Sequence, residues 1–146
     1  MLAVGEKAPD FEGMTSQGTK FRLSEQLGHP VVLYFFPKAD TPGCTIESKG
    51  FRDHYAELGN RDVRVAGVST DTVEEEKAFA QKYGFPFPLI ADPTTEISAK
   101  YGVLGRGHAR RVTFLIDPQG KVERVIDSML PGTHVSGACS MDWGKK

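Results

Sequence analysis

Cys44 is the residue of this sequence best suited to covalent chemistry, and it closes the run Pro37-Lys38-Ala39-Asp40-Thr41-Pro42-Gly43-Cys44. A thiolate, not a thiol, attacks electrophiles, and a free cysteine that ionises near ~8.5 is only a few per cent anionic at neutral pH. Its position must supply the difference. Pro42 and Gly43 read as the turn entering a helix, which sets Cys44 in the first helical turn. There, unpaired backbone N–H groups and the positive end of the helix dipole stabilise an anion. Ionisation at about 6 would make roughly 90% of the thiol anionic at pH 7.

That gain is only a few tens-fold, so fast chemistry also needs groups that stabilise charge as a bond breaks. Thr41 and Arg111 are the candidates. The Thr41 hydroxyl, three residues before the sulfur, could accept a hydrogen bond from a bound substrate and orient it; the plainer role is a helix N-cap. Arg111 opens an apolar strand, where a guanidinium is costly unless it meets a carboxylate or a thiolate. Arg110 is its competitor, because strand alternation alone does not say which of the two faces inward. Glu47 could fix the Arg111 fork or simply decorate the first helical turn. Pro37 ends a strand and could also shield one face of the sulfur.

The elements that must position these residues follow from periodicity. Val31-Val32-Leu33-Tyr34-Phe35-Phe36 is continuously apolar and stopped by Pro37, as a central strand buried on both faces reads. The segment 44–58 carries Ile46, Phe51, Tyr55 and Leu58 at helical spacing, ended by Gly59-Asn60. A strand over 63–69 follows, then capping residues Ser69-Thr70-Asp71-Thr72 and a helix over 73–83 stopped by Gly84 and Pro86, which completes a βαβ unit. Leu89-Ile90 and a short helix over 94–101 lead to strands 112–116 and 122–126, joined through Asp117-Pro118-Gln119-Gly120 as a hairpin. Upstream, 11–14 and 19–23 flank Ser16-Gln17-Gly18 as an N-terminal β-hairpin. The class is α/β, with a mixed sheet flanked by helices, and residues 1–146 form one domain. After Leu130 a final helix is only weakly supported, given Pro131, Gly132 and Gly137.

Composition narrows the rest. A net charge of -1 and 25% charged residues give no field that would collect nucleic acid or anionic lipid. No window approaches a membrane span and the start lacks a secretory pattern, which predicts a cytoplasmic protein. The two cysteines, Cys44 and Cys139, are too few for a disulfide framework. His29, His54, His108 and His134 are scattered and no second ligand stands at zinc spacing, so no metal and no cofactor are expected.

The run from Pro37 to Cys44 fits proline, three residues, threonine, two residues, cysteine, and so resembles the active-site pattern of the peroxiredoxins. Phe35-Phe36-Pro37-Lys38, Gly43-Cys44-Thr45, Phe51-Arg52-Asp53, Gly67-Val68-Ser69-Thr70-Asp71 and Arg111-Val112-Thr113-Phe114-Leu115-Ile116-Asp117 together resemble the subgroup called peroxiredoxin Q or bacterioferritin comigratory protein. The likeness extends to about Ile126. It implies a thioredoxin-like fold and reduction of hydrogen peroxide and organic hydroperoxides. It also implies catalytic roles for Cys44, Thr41 and Arg111, in preference to Arg110, with Pro37, Pro42, Gly43 and Glu47 around the substrate.

One departure concerns the second half of the cycle. Where the subgroup often places a resolving cysteine, five residues after the nucleophile, this chain has Lys49, and the other frequent location corresponds to Ala80. Only Cys139 or an external thiol remains to capture a Cys44 sulfenic acid. The expectation is a one-cysteine cycle fed by thioredoxin, glutaredoxin or a small thiol, in a monomer or weak dimer. Two other readings stay in view: a thiol-disulfide reductase, which would want a second cysteine where Thr41 stands, and a redox-sensing or chaperone-like module without turnover.

Overall fold

A computed structural model describes residues 1–143. Among the described residues, seven strands and five α-helices follow in order as β1 (Glu12–Met14), β2 (Lys20–Arg22), β3 (Val31–Phe35), α1 (Pro42–Asp53), α2 (Tyr55–Asn60), β4 (Arg64–Ser69), α3 (Val73–Tyr83), β5 (Leu89–Ala91), α4 (Glu96–Lys100), β6 (Val112–Ile116), β7 (Val122–Asp127) and α5 (Pro131–Ser140). The five-stranded sheet runs β5-β4-β3-β6-β7, so the apolar run at 31–35 is the central strand, as its composition demands. It pairs parallel with β4 and antiparallel with β6. The sheet is therefore mixed, and β1–β2 is the separate N-terminal hairpin.

The two-residue period of β3 divides the core. Val31, Leu33 and Phe35 join Phe114, Ile97 and Tyr101 on one face. Val32, Tyr34 and Phe36 join Cys44, Phe51, Phe79 and Val135 on the other. Both faces are dry because each is covered, which is why the strand shows no polar alternation. Burial of a side chain such as Phe51, with no exposed surface, is worth about 2–3 kcal/mol and fixes the inner face of α1 against the sheet.

The helix expected over 44–58 is two helices. It starts at Pro42 and breaks at His54, whose φ of -106° and ψ of 7° leave helical geometry before α2 resumes at Tyr55. Apolar spacing continues through the break because both pieces face the same core, so periodicity alone conceals it. The weakly supported tail helix is α5, a ten-residue element with Pro131 at its first position, where a missing N–H costs nothing. It lies close to α1: a Cβ on Gly50 would stand 2.7 Å from Val135 Cγ2, so the helices approach where the side chain is absent. The helix expected over 94–101 shortens to Glu96–Lys100. Among the described residues no helix is long and apolar enough to cross a membrane.

Candidate active site

The end of β3 and the start of α1 set the nucleophile. Thr41 has extended backbone (φ -96°, ψ 158°) at the N-cap of α1, and Pro42 and Gly43 begin the helix, so Cys44 lies in its first turn with its sulfur buried. The N-terminal amides and the aligned peptide dipoles favour a negative sulfur there. Thr41 does not use its hydroxyl to cap the helix. Oγ1 donates to the Lys38 carbonyl at 2.8 Å, which leaves its lone pairs free to accept from a bound peroxide.

Arg111, from the residue just before β6, brings the second charge. Its Nη2 donates to Cys44 Sγ at 3.5 Å and its Nη1 to Glu47 Oε1 at 2.7 Å. Glu47 is three residues beyond Cys44 on α1 and has no exposed surface, while the Arg111 side chain is 12% exposed. Arg110, by contrast, reaches outward to Asp127 at 2.9 Å. The small residue at 43 makes room for this arrangement, since a Cβ there would lie 2.8 Å from Arg111 Nη2.

Burial pushes the Glu47 carboxyl up to about 8, against the opposing pull of the Arg111 charge and hydrogen bond. A neutral carboxyl still accepts from Nη1 through its carbonyl oxygen. Protonated, it would leave the guanidinium charge directed at the sulfur. Glu47 Oε2 has no hydrogen-bond partner and lies 3.6 Å from Nδ1 of His134. His134 is itself buried: Nε2 donates to the Ser128 carbonyl at 2.7 Å, and Nδ1 accepts from the Thr113 hydroxyl at 2.7 Å. Burial lowers the His134 pKa, with the nearby Arg111 adding to the effect, so the ring is a neutral prop behind Glu47.

The structure brings together Cys44, Glu47 and Arg111, with Gly43 in contact and Thr41 at the adjacent helix entry. Pro37 sits half-buried at the end of β3, and Pro42 is exposed. Sequence reasoning missed His134, because it lies on the helix that composition supported least, and Asp71, whose motif reads as helix capping. Asp71 instead accepts from the Ala39 N–H at 2.7 Å and so pins the loop between Pro37 and Thr41.

Cys139 is elsewhere. It lies on α5 with ligand atoms of His54 and Glu57 within 4.8 Å. His54 ends α1, ten residues beyond Cys44 (54 minus 44), which at ~1.5 Å per residue is about 15 Å along the helix. Burial and the Glu57 charge raise the Cys139 pKa. His54, Glu57 and Cys139 are the one group among the described residues with the donor types and proximity to hold a metal, and two of the three are exposed. No such group includes Cys44.

A helix-start cysteine beside a largely buried arginine, on a mixed thioredoxin-like sheet, defines a thiol peroxidase. A sequence model of the AhpC/TSA family matches residues 4–125, and the chain belongs to that family, among its peroxiredoxins. It is 40% identical over 144 residues, 93% of each chain, to the putative peroxiredoxin bcp of Coxiella burnetii. Among solved structures it is similar to peroxidoxin BcpB of Mycobacterium tuberculosis, with a TM-score of 0.91 and 37% identity over 96% of both chains. The bacterioferritin comigratory protein of Xanthomonas campestris, studied for its alkyl peroxide reduction activity, matches with a TM-score of 0.84 and 30% identity. That match covers 89% of this chain and 88% of the other.

Proposed function

We propose that this thiol-dependent peroxidase reduces hydrogen peroxide and organic hydroperoxides through a Cys44 sulfenic acid, in a cycle that uses no second cysteine of its own. The observation that carries the chemistry is Arg111 Nη2 at 3.5 Å from Cys44 Sγ, with Glu47 behind it. The thiolate attacks one peroxide oxygen, the O–O bond breaks, and the sulfur keeps that oxygen as Cys44–SOH. The other oxygen leaves with the electron pair and takes up a proton as water or an alcohol. Arg111 stabilises the sulfur charge before attack and the departing oxygen during it, while Thr41 Oγ1 accepts from the peroxide O–H and aligns it. Pro37, Pro42 and Gly43 bound the space in which this happens, and Glu47 sets the Arg111 fork.

The sulfenic acid must then be reduced by thiols. Lys49 and Ala80 offer no sulfur, and Cys139, on α5, sits beside His54, about 15 Å along α1 from Cys44, whereas a disulfide needs Cβ atoms within roughly 4.5 Å. One external thiol therefore condenses with Cys44–SOH, releasing water and forming a mixed disulfide. A second thiol breaks that bond and restores Cys44. Thioredoxin, glutaredoxin or a small thiol fits this role in a cytoplasmic protein acting as a monomer or weak dimer. A thiol-disulfide reductase finds less support, since Thr41 holds the position a partner cysteine would need.

The test is stoichiometric oxidation by hydrogen peroxide and by cumene hydroperoxide, followed by intact mass and then addition of thioredoxin or dithiothreitol. A gain of one oxygen on the peptide containing Cys44, removed by thiol with multiple turnovers, is the expected result. An internal disulfide, or no catalytic consumption of peroxide with any thiol donor, overturns it.

A further inference from the structure

On the far side of the Thr41 loop, three side chains that the peroxide chemistry does not use form a buried chain. Ser69 Oγ, at the end of β4, lies 2.6 Å from Asp71 Oδ2 and 2.8 Å from Oε2 of Glu76, in the first turn of α3. Glu76 and Ser69 have no exposed surface and Asp71 very little. A hydroxyl has one hydrogen and cannot donate to two carboxylates at once. Asp71 carries the accepting duty outward, because Oδ2 also accepts from the Ala39 N–H at 2.7 Å and Oδ1 from Lys38 Nζ at 3.3 Å. Proton counting then requires Glu76 to hold a hydrogen, donate it to Ser69, and let Ser69 donate to Asp71. The other Glu76 oxygen, Oε1, is buried with no partner, which is affordable for the carbonyl of a neutral acid and costly for an anion.

What this chain of hydrogen bonds grips is the loop that presents Thr41. Ala39 N–H is fixed by Asp71, and the Lys38 carbonyl accepts from the Thr41 hydroxyl. The next residue, Asp40, holds a left-handed φ of 59° and is tied at its carboxylate to Lys82 Nζ at 2.8 Å and the Tyr83 hydroxyl at 3.0 Å. Lys82 and Tyr83 lie in the last turn of α3, Glu76 near its start. Asp71, just before α3, and the last turn of α3 thus hold the loop at two successive residues. We infer that Glu76 is a positioning residue for the peroxidase reaction, holding a buried proton that, through Ser69 and Asp71, sets the backbone from which Thr41 presents its hydroxyl to peroxide.

Loss of that proton would leave two carboxylates competing for one hydroxyl and release the Ala39 anchor. The groups facing Glu76 are Ser69 and Asp71 from β4 and its following turn, Tyr34 from β3, Glu75 from α3 itself and, through Asp71, Lys38 from the loop. Burial raises the Glu76 pKa well above the ordinary carboxyl range, with Asp71 and Glu75 adding to the effect, in keeping with a carboxyl that stays neutral. The inference rests on the peroxidase reading, but the proton itself is observable without activity.

The test has two readouts. Infrared difference spectra of the full chain at pH 7, wild type against Glu76→Gln, should show a protonated-carboxyl band that the variant lacks; no such band overturns the inference whatever the activity. The second readout is the bimolecular rate of Cys44 oxidation in single turnover. Glu76→Gln, whose amide can still donate to Ser69, should react within about 2-fold of wild type at pH 7. Its rate relative to wild type should rise as alkaline pH removes the wild-type proton. Glu76→Ala, folded by circular dichroism, should react about 10-fold more slowly with peroxide while reduction of its sulfenic acid by thiol stays unchanged. Parallel pH profiles for wild type and Glu76→Gln, or a folded Glu76→Ala reacting at the wild-type rate, would overturn the positioning role. A variant that fails to fold leaves the spectrum and the Gln profile to decide.

Discussion

Arg111 spans two acidic partners, with Nη2 3.5 Å from Cys44 Sγ and Nη1 2.7 Å from Glu47 Oε1. One planar fork therefore couples the nucleophile to a buried carboxyl on the same helix, three residues on. Arg111→Met preserves the aliphatic stem and removes the fork. It should slow Cys44 oxidation by about 10²–10³-fold, the cost of losing one transition-state donor. Arg110→Met removes only a solvent-facing pair with Asp127, worth less than about 1 kcal/mol, and should leave the rate within a few-fold. Stopped-flow oxidation of the two variants checks this, and the reverse order would show that Arg110 serves the sulfur.

Thr41→Val keeps the β-branched shape and removes the hydroxyl that donates to Lys38 and, in the proposed mechanism, accepts from peroxide. The peroxide step should fall by roughly 10²-fold, with Thr41→Ser recovering most of it. The N-cap role predicts something else, about 1 kcal/mol of stability and little change in rate. Thermal melts alongside single-turnover rates separate the two.

Gly43→Ala places a Cβ 2.8 Å from Arg111 Nη2. The guanidinium is the flexible end of its chain but is held by both Glu47 and Cys44, so it yields by leaving the sulfur. The expected outcome is about a 10-fold slower peroxide step. Stability should stay near wild type, because alanine regains up to about 1 kcal/mol of helix propensity. A rate equal to wild type would show that the fork adapts.

Glu47 provides a pH signature. Its carboxyl ionises at about 8 in the fold against an ordinary value of 4.5, because burial outweighs the help of Arg111. The folded state thus keeps a proton that the unfolded chain loses, and stability falls as pH rises from 4.5 towards about 8. Glu47→Gln lacks that proton equilibrium. The wild-type melting temperature should decline relative to the variant across this window in denaturation scans. Equal slopes would place Glu47 among ordinary ionised carboxylates.

How much of this was legible follows from what each signal measures. The central strand announced itself because five apolar residues without alternation need two covered faces, and the 31–35 strand has them. The motif from Pro37 to Cys44 is local, so its turn and helix start could be read directly. The choice between Arg110 and Arg111 was not local, since both flank the same strand and register with β3 and β7 decides which turns inward; family resemblance supplied it. His134 and Glu76 escaped for a related reason. Each matters through a contact between distant segments, His134 with Thr113 and Glu76 with Ser69, and no periodicity along the chain records such pairs. The break at His54 was hidden because the apolar stripe on α1 and α2 continues across it.

Cys139 carries the last prediction. It lies beside His54 and Glu57, about 15 Å along α1 from Cys44, on a helix whose Val135 is packed against Gly50. To reach the sulfenic acid, α5 would have to leave that seat or α1 would have to unwind through Cys44, losing buried contacts of Phe51 and Val135. Its thiol is also a poor attacker at neutral pH, since burial and the Glu57 charge both raise its pKa. An external thiol meets neither obstacle. Cys139→Ser should therefore keep full turnover with dithiothreitol and with thioredoxin, and peroxide-treated wild type should show a trapped sulfenic acid on Cys44 rather than a bridge to Cys139. Non-reducing mass analysis and steady-state peroxide consumption measure both. If Cys139→Ser oxidises normally on the first turnover and then stalls, the tail helix moves further than its packing indicates and a two-cysteine cycle replaces the one proposed.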